Sequence, residues 1–249
     1  MQNESLLEQV GPERRKKVIR YLQPDDRKRS LGAGIMIRKI LNGNGLSESS
    51  LKYSENGKPV ADHLHFNISH AGDYVVGVVS DDEVGCDIER NVNAPLEIAE
   101  HYFHSTEREY IEAASDPGKA FFTLWTLKES YMKMTGRGMS LPLDSFEIIR
   151  KDQGFVLGKS PKRPGFFRTM EFENYIFSVC MESDFSLPPK GFTELLRHYF
   201  LLLLSCMDWS LFLVKNFLRI ICKRLDGYVR CVVNCTSDMV VRYFCYVET

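Results

Sequence analysis

Twice along this chain a helical sequence pattern gives way to a strand pattern, with the division falling near residue 82. That order suggests an α+β chain built as two similar halves. In the first half, Pro12–Leu22 and Asp25–Leu41 read as helices, each entered through a proline suited to a first helical turn. Strand character follows in His65–Ser69 and in the apolar run Tyr74–Val79, with Gly72-Asp73 as the turn between them. The second half opens on a strand, Val84–Glu89. Helices follow at Leu96–Phe103, Thr106–Ala114 and Lys119–Thr135, the second of them with a capping box expected to begin at Thr106. Strands resume at Phe146–Ile149, Phe155–Val156, Phe166–Arg168 and Tyr175–Cys180. The expected organisation is residues 1–82, residues 83–190 and a dissimilar tail, 191–249.

Composition narrows the class. With 44% hydrophobic and 26% charged residues the chain is neither disordered nor fibrous, and a net charge of −1 argues against nucleic acid as its partner. No basic segment followed by an apolar one opens the sequence, so a cytoplasmic protein is expected. The tail differs from the body. It carries five of the seven cysteines, Cys206, Cys222, Cys231, Cys235 and Cys245, expected as free thiols in a reducing compartment. Tyr199–Val214 is apolar but too short to span a bilayer, and Lys215, Arg219 and Lys223 recur beside aliphatic residues. A helix packed on the body, or a segment without function, is expected before membrane contact.

The chemistry concentrates in two places. Asp87 and Glu89 stand two apart on a strand, so their carboxylates emerge on one face while Cys86 and Ile88 turn to the core. Like charges so close need a cation or a proton between them, and Mg²⁺ is a natural answer; a solvated polar face is the plainer one. In the helix that follows, Glu129 and Lys133 lie one turn apart. They read either as a surface ion pair worth about 0.3–0.5 kcal/mol or as a third carboxylate with a phosphate-binding lysine. Gly57-Lys58-Pro59 and Ser69-His70 place further polar groups on turns and strand ends suited to an anion, and Arg14, Lys17, Arg29 and Ser30 add to them. A zinc cluster of His63, His65 and His70 is discounted for want of matching ligands.

Taken in order, Gly57-Lys58-Pro59, Phe66-Asn67-Ile68-Ser69-His70, Gly85-Cys86-Asp87-Ile88-Glu89 and Trp125-Thr126-Leu127-Lys128-Glu129-Ser130-Tyr131-Met132-Lys133 resemble the Sfp-type 4'-phosphopantetheinyl transferases over roughly residues 12–190. The resemblance implies a pseudo-dimer of two similar α+β halves with coenzyme A between them. It implies Asp87, Glu89 and Glu129 as ligands of Mg²⁺, and Lys133 on the phosphates. Lys58, Pro59, Ser69 and His70 would border the coenzyme A phosphates, with His70 near the 3'-phosphate and Arg29 and Ser30 on the nucleotide. Arg14 and Lys17 match outlying basic positions. The implied reaction moves the phosphopantetheine arm to a serine of an apo acyl, peptidyl or aryl carrier protein and releases 3',5'-ADP. Glu129 is the candidate base, with a metal-bound water as the alternative. Carrier docking would use Asn91–His104 and the segment after Lys133. The rival readings are a metal-dependent hydrolase of nucleotide pyrophosphates and a coenzyme A-binding module without catalysis. A monomer is expected. The chain departs from the family in its short front, Met1–Val10, and in its tail.

Overall fold

The computed structural model describes residues 6–152, 154–158 and 163–184, together with the backbone of two strands at 232–235 and 241–244. Helices α1 (Pro12–Arg20) and α2 (Pro24–Gly43) each begin on a proline with an acidic first turn, Glu13 in one and Asp25 and Asp26 in the other. Negative charge there complements the helix dipole. A small hairpin pairs β1 (Lys52–Tyr53) with β2 (Pro59–Val60), and β3 (His65–Ala71) turns into β4 (Tyr74–Ser80). The turn needs Gly72, whose φ of +50° is the left-handed region. Ala33, Met36, Ile37, Ile40 and Leu41 of α2 pack on Phe66, Val75 and Val79, closing the first core.

The second half begins with β5 (Val84–Arg90), followed by α3 (Leu96–Tyr102), α4 (Ser105–Glu112) and α5 (Pro117–Met134). Its remaining strands are β6 (Ile148–Lys151), β7 (Gly154–Leu157), β8 (Phe166–Phe172) and β9 (Tyr175–Met181). They join β5 in an antiparallel sheet of order β5-β9-β8-β7-β6. Asp116 caps α5 by accepting a hydrogen bond from Lys119 N at 2.9 Å, and Pro117 fills its first turn. The cap of α4 sits two residues earlier than the sequence pattern suggests. His104, not Thr106, is the cap residue, because Glu107 reaches back to accept from His104 N at 2.9 Å. The mixed α+β class is as expected, and each half lays a long helix on an antiparallel sheet.

A further core joins the halves. Tyr74, Val76 and Val78 of β4 meet Val84, Cys86 and Ile88 of β5 and Tyr175, Phe177, Val179 and Met181 of β9. The alternation of β5 thus sends Cys86 and Ile88 to this core and leaves Asp87 and Glu89 on the other face. Between the sheets, β3 and β5 meet through side chains. Asn67 Oδ1 accepts from Cys86 N at 2.9 Å, and Ser69 Oγ reaches both Asp87 Oδ1, at 2.7 Å, and Ile88 N, at 3.4 Å.

Of the tail, β10 (Val232–Cys235) runs antiparallel to β4, with Val232 opposite Val76, and β11 (Val241–Phe244) pairs with β10. The helix and membrane readings for residues 199–223, and the five tail thiols as side chains, fall outside the described residues. Among the described residues no helix is long and apolar enough to cross a membrane.

Candidate active site at the seam between the halves

The seam strands and α5 bring the chemical groups together. Helix α5 can lie close on β5 because residue 85 is glycine. A Cβ there would stand 2.0 Å from Ser130 O and 2.2 Å from Met134 N, both backbone atoms of α5. Close approach carries Lys133 to Asp87, with Nζ to Oδ1 at 2.5 Å, and the same ammonium reaches Ser69 Oγ at 3.2 Å. Glu129, one turn back, lies 4.0 Å from Lys133 Nζ. Asp87 is 5% exposed in its side chain, and its second oxygen, Oδ2, is buried without a partner. An ionised carboxylate in that state has acceptor capacity that the protein leaves unused, which costs about 1–3 kcal/mol unless a ligand supplies the missing partner.

Electrostatics follow from this crowding. Burial pushes Glu89 up to about 7, with the Asp87 and Glu129 carboxylates adding to it and Lys133 and a hydrogen bond with Trp125 opposing. Glu129 is raised as well, by burial first and Asp87 next, against the pull of Lys133. Partial burial holds His70 below the usual histidine range, and Lys133 and Arg29 push the same way. Burial drives the Cys86 thiol to about 12, so it is no nucleophile despite its position beside Asp87.

The donor set suits a hard divalent cation: three carboxylates, one with an orphaned buried oxygen, around an excess of negative charge. Even so, no group of three or more His, Cys, Asp or Glu side chains among the described residues converges as a metal-binding cluster. Lys133 lies between them and balances Asp87 directly.

The expected phosphate contacts are dispersed. Ser69 belongs to the Asp87–Lys133 group. His70 follows it on β3, within the electrostatic reach of Lys133, Arg29 and Asp87. Arg29 pairs with Asp26 at 2.7 Å, and Ser30 is buried with its Oγ unpartnered. Arg14 and Lys17 border a groove of about 590 Å³ with Ile37, Leu51 and Tyr53. Pro59 pairs opposite Tyr53 in the small hairpin. Lys58 is not among the carboxylates of the cleft. Its ammonium donates to Glu83 Oε2 at 2.8 Å, Val84 O at 3.2 Å and Met134 O at 3.3 Å.

Three supporting residues escaped the sequence reading. Asn67 entered the sequence reading only as a member of the run Phe66–His70, with no role of its own, yet it stitches β3 to β5. Lys128 is wholly buried, donating to Leu143 O, Phe146 O and Glu107 Oε1, each at 2.8 Å. Its spacing from Leu124, Leu127 and Tyr131 on α5 was the available signal, since a lysine in that stripe faces the core. Glu83 had no signal at all.

The seam between the two α+β halves thus gathers acidic groups, a lysine and a serine strand end in one place. Comparison with known proteins gives the family. Residues 2–82 match the family model described as 4'-phosphopantetheinyl transferase, N-terminal, and residues 83–180 match the 4'-phosphopantetheinyl transferase superfamily. The 4'-phosphopantetheinyl transferase Sfp of Bacillus subtilis is 34% identical over 190 residues, covering 72% of this chain and 85% of its own. The 4'-phosphopantetheinyl transferase gsp of Aneurinibacillus migulanus is 39% identical over 181 residues, covering 69% and 76%. A holo-(acyl-carrier-protein) synthase from Bacillus anthracis aligns with 41% of this chain and 96% of its own at 18% identity and a TM-score of 0.37, too slight a likeness to argue from. The chain belongs to the Sfp-type 4'-phosphopantetheinyl transferases.

Proposed function

We propose that this enzyme transfers the 4'-phosphopantetheine arm of coenzyme A to a serine of an apo acyl or peptidyl carrier protein, acting as a cytoplasmic monomer. The observation that carries the reading is the buried Asp87 carboxylate, half satisfied, set between Ser69 and Lys133 at the seam. Free, buried Cys86 and Cys180 fit a reducing compartment.

In the proposed reaction the carrier serine Oγ attacks the β-phosphorus of coenzyme A. The bond from that phosphorus to the bridging oxygen breaks, and 3',5'-ADP leaves. Glu129 takes the serine proton on its carboxylate, whose basicity burial raises. Lys133 donates to the phosphate oxygens on which charge develops, a preorganised donor of the kind that supplies the largest share of such barriers. Ser69 and His70 orient the phosphates from β3. Asp87, Glu89 and Glu129 would hold Mg²⁺, which when bound supplies electrophilic charge on the pyrophosphate.

The test is intact mass spectrometry of an apo carrier incubated with the enzyme, coenzyme A and Mg²⁺. The expected result is the gain of one phosphopantetheine, abolished by chelation and by Asp87→Asn or Glu129→Gln in variants that melt like the parent. Near-normal transfer by either folded variant would overturn the assignment of the site. Release of free phosphopantetheine with no gain on the carrier would instead identify a hydrolase.

A further inference from the structure

Resting on the reading that coenzyme A binds at this seam with Lys58 on its phosphates, we propose that Glu83 competes with the phosphate for Lys58 and so sets the affinity for coenzyme A. No motif in the chain includes Glu83, yet it supplies the shortest contact that Lys58 makes.

The argument begins with counting donors. An ammonium has three N–H groups, and each of those on Lys58 already has a protein acceptor: Glu83 Oε2, Val84 O and Met134 O. A phosphate can be bound only by displacing one of them. The two carbonyls are fixed, one at the start of β5 and one at the last residue of α5, while Glu83 is a side chain whose carboxylate is a third exposed. Glu83 is therefore the partner that yields. It also has somewhere to go, since His65 Nδ1 lies 3.4 Å from its other oxygen, Oε1.

Position supports the same conclusion. The Ser54–Lys58 turn is tied to the end of α5 by Asn56 Nδ2, which donates to Gly136 O at 3.0 Å. Met134, whose carbonyl Lys58 holds, follows Lys133 directly. Lys58 thus stands beside the cleft, with its charge part of the field around Cys86. A carboxylate that pairs with it in the free enzyme raises the cost of recruiting that ammonium to a phosphate. Neutralising Glu83 lowers that cost without touching a reacting atom.

The experiment measures coenzyme A binding by calorimetry and transfer kinetics for the parent, Glu83→Gln, Lys58→Ala and the double variant. Glu83→Gln is expected to bind coenzyme A about 3–10-fold more tightly, with KM for coenzyme A lowered in step and kcat unchanged, as fits loss of a partly exposed ion pair. In the Lys58→Ala background the same substitution is expected to change nothing. Binding by Glu83→Gln no tighter than the parent's, or weaker, would overturn the proposal and make Glu83 an orienting partner of Lys58. So would a tightening that survives in Lys58→Ala. A parent enzyme that binds no coenzyme A removes the underlying reading and this proposal together, whereas normal parental binding with no Glu83 effect removes only the latter. Melting curves of Glu83→Gln and Glu83→Ala guard against misfolding as the cause of any loss.

Discussion

Glu89 ties the stability of the metal-free enzyme to pH. Its carboxyl is raised from 4.5 to about 7 by burial first and then by the Asp87 and Glu129 charges. For an acid shifted upward, the folded state keeps a proton that the unfolded chain has already lost. Stability is therefore full below about pH 4.5, falls as pH rises through the interval, and stays reduced above about 7. At about 1.4 kcal/mol for each tenfold change in proton affinity, the whole shift corresponds to ~3 kcal/mol. Discounted for the part of the side chain that water reaches, about 1–2 kcal/mol remains. The assay is urea unfolding of the parent and Glu89→Gln in the presence of a chelator, between pH 4.5 and 8. The parent is expected to lose that amount more than the variant over the interval. Glu129, raised in the same direction, leaves a residual slope in both. Adding Mg²⁺ at pH 8 is expected to stabilise the parent more than it does at pH 5, because the cation takes the place of the proton. A gap between parent and variant that does not change with pH would refute the reasoning.

Gly85→Ala is expected to unfold or loosen the second half, because the new methyl meets backbone atoms of α5 at 2.0 and 2.2 Å and none of them can move independently; a melting point within 2 °C of the parent's, as a rough bound, would show that β5 and α5 can part at little cost. Lys128→Met strands the fully buried Glu107 carboxylate and is expected to cost about 3–5 kcal/mol in urea unfolding. Pairing it with Glu107→Leu is expected to recover only part of that, since His104 N and Ile148 N lose their acceptor; full recovery would show that those two amides need no partner.

What could be read in the sequence was what local spacing encodes. Period-two alternation put Asp87 and Glu89 on one face of β5 and Cys86 and Ile88 on the other, as the joint core requires. One helical turn placed Glu129 near Lys133. Spacing along one element says nothing about which long-range partner a polar side chain selects. That Lys133 reaches Asp87 across 46 positions depends on Gly85, whose missing Cβ sets how near α5 approaches β5. Asn67 is similar: its role appears only when two strand edges meet without a backbone ladder and a side-chain amide bridges them.

Lys58 and Lys128 show why residue type alone misleads in the same way. Both lysines use their whole donor capacity on protein acceptors. They differ in what holds them. Lys128 has a fully buried carboxylate and two carbonyls, with Phe146 beneath its charge at 4.3 Å, and releasing it would leave Glu107 unpaired in the core. Lys58 has one partner a third exposed to water, so its release leaves no buried charge behind. The first lysine is therefore fixed as part of the scaffold that carries Glu129, while the second remains available to a ligand. The distinction rests on the burial of the partner carboxylate, a quantity that the folded chain decides.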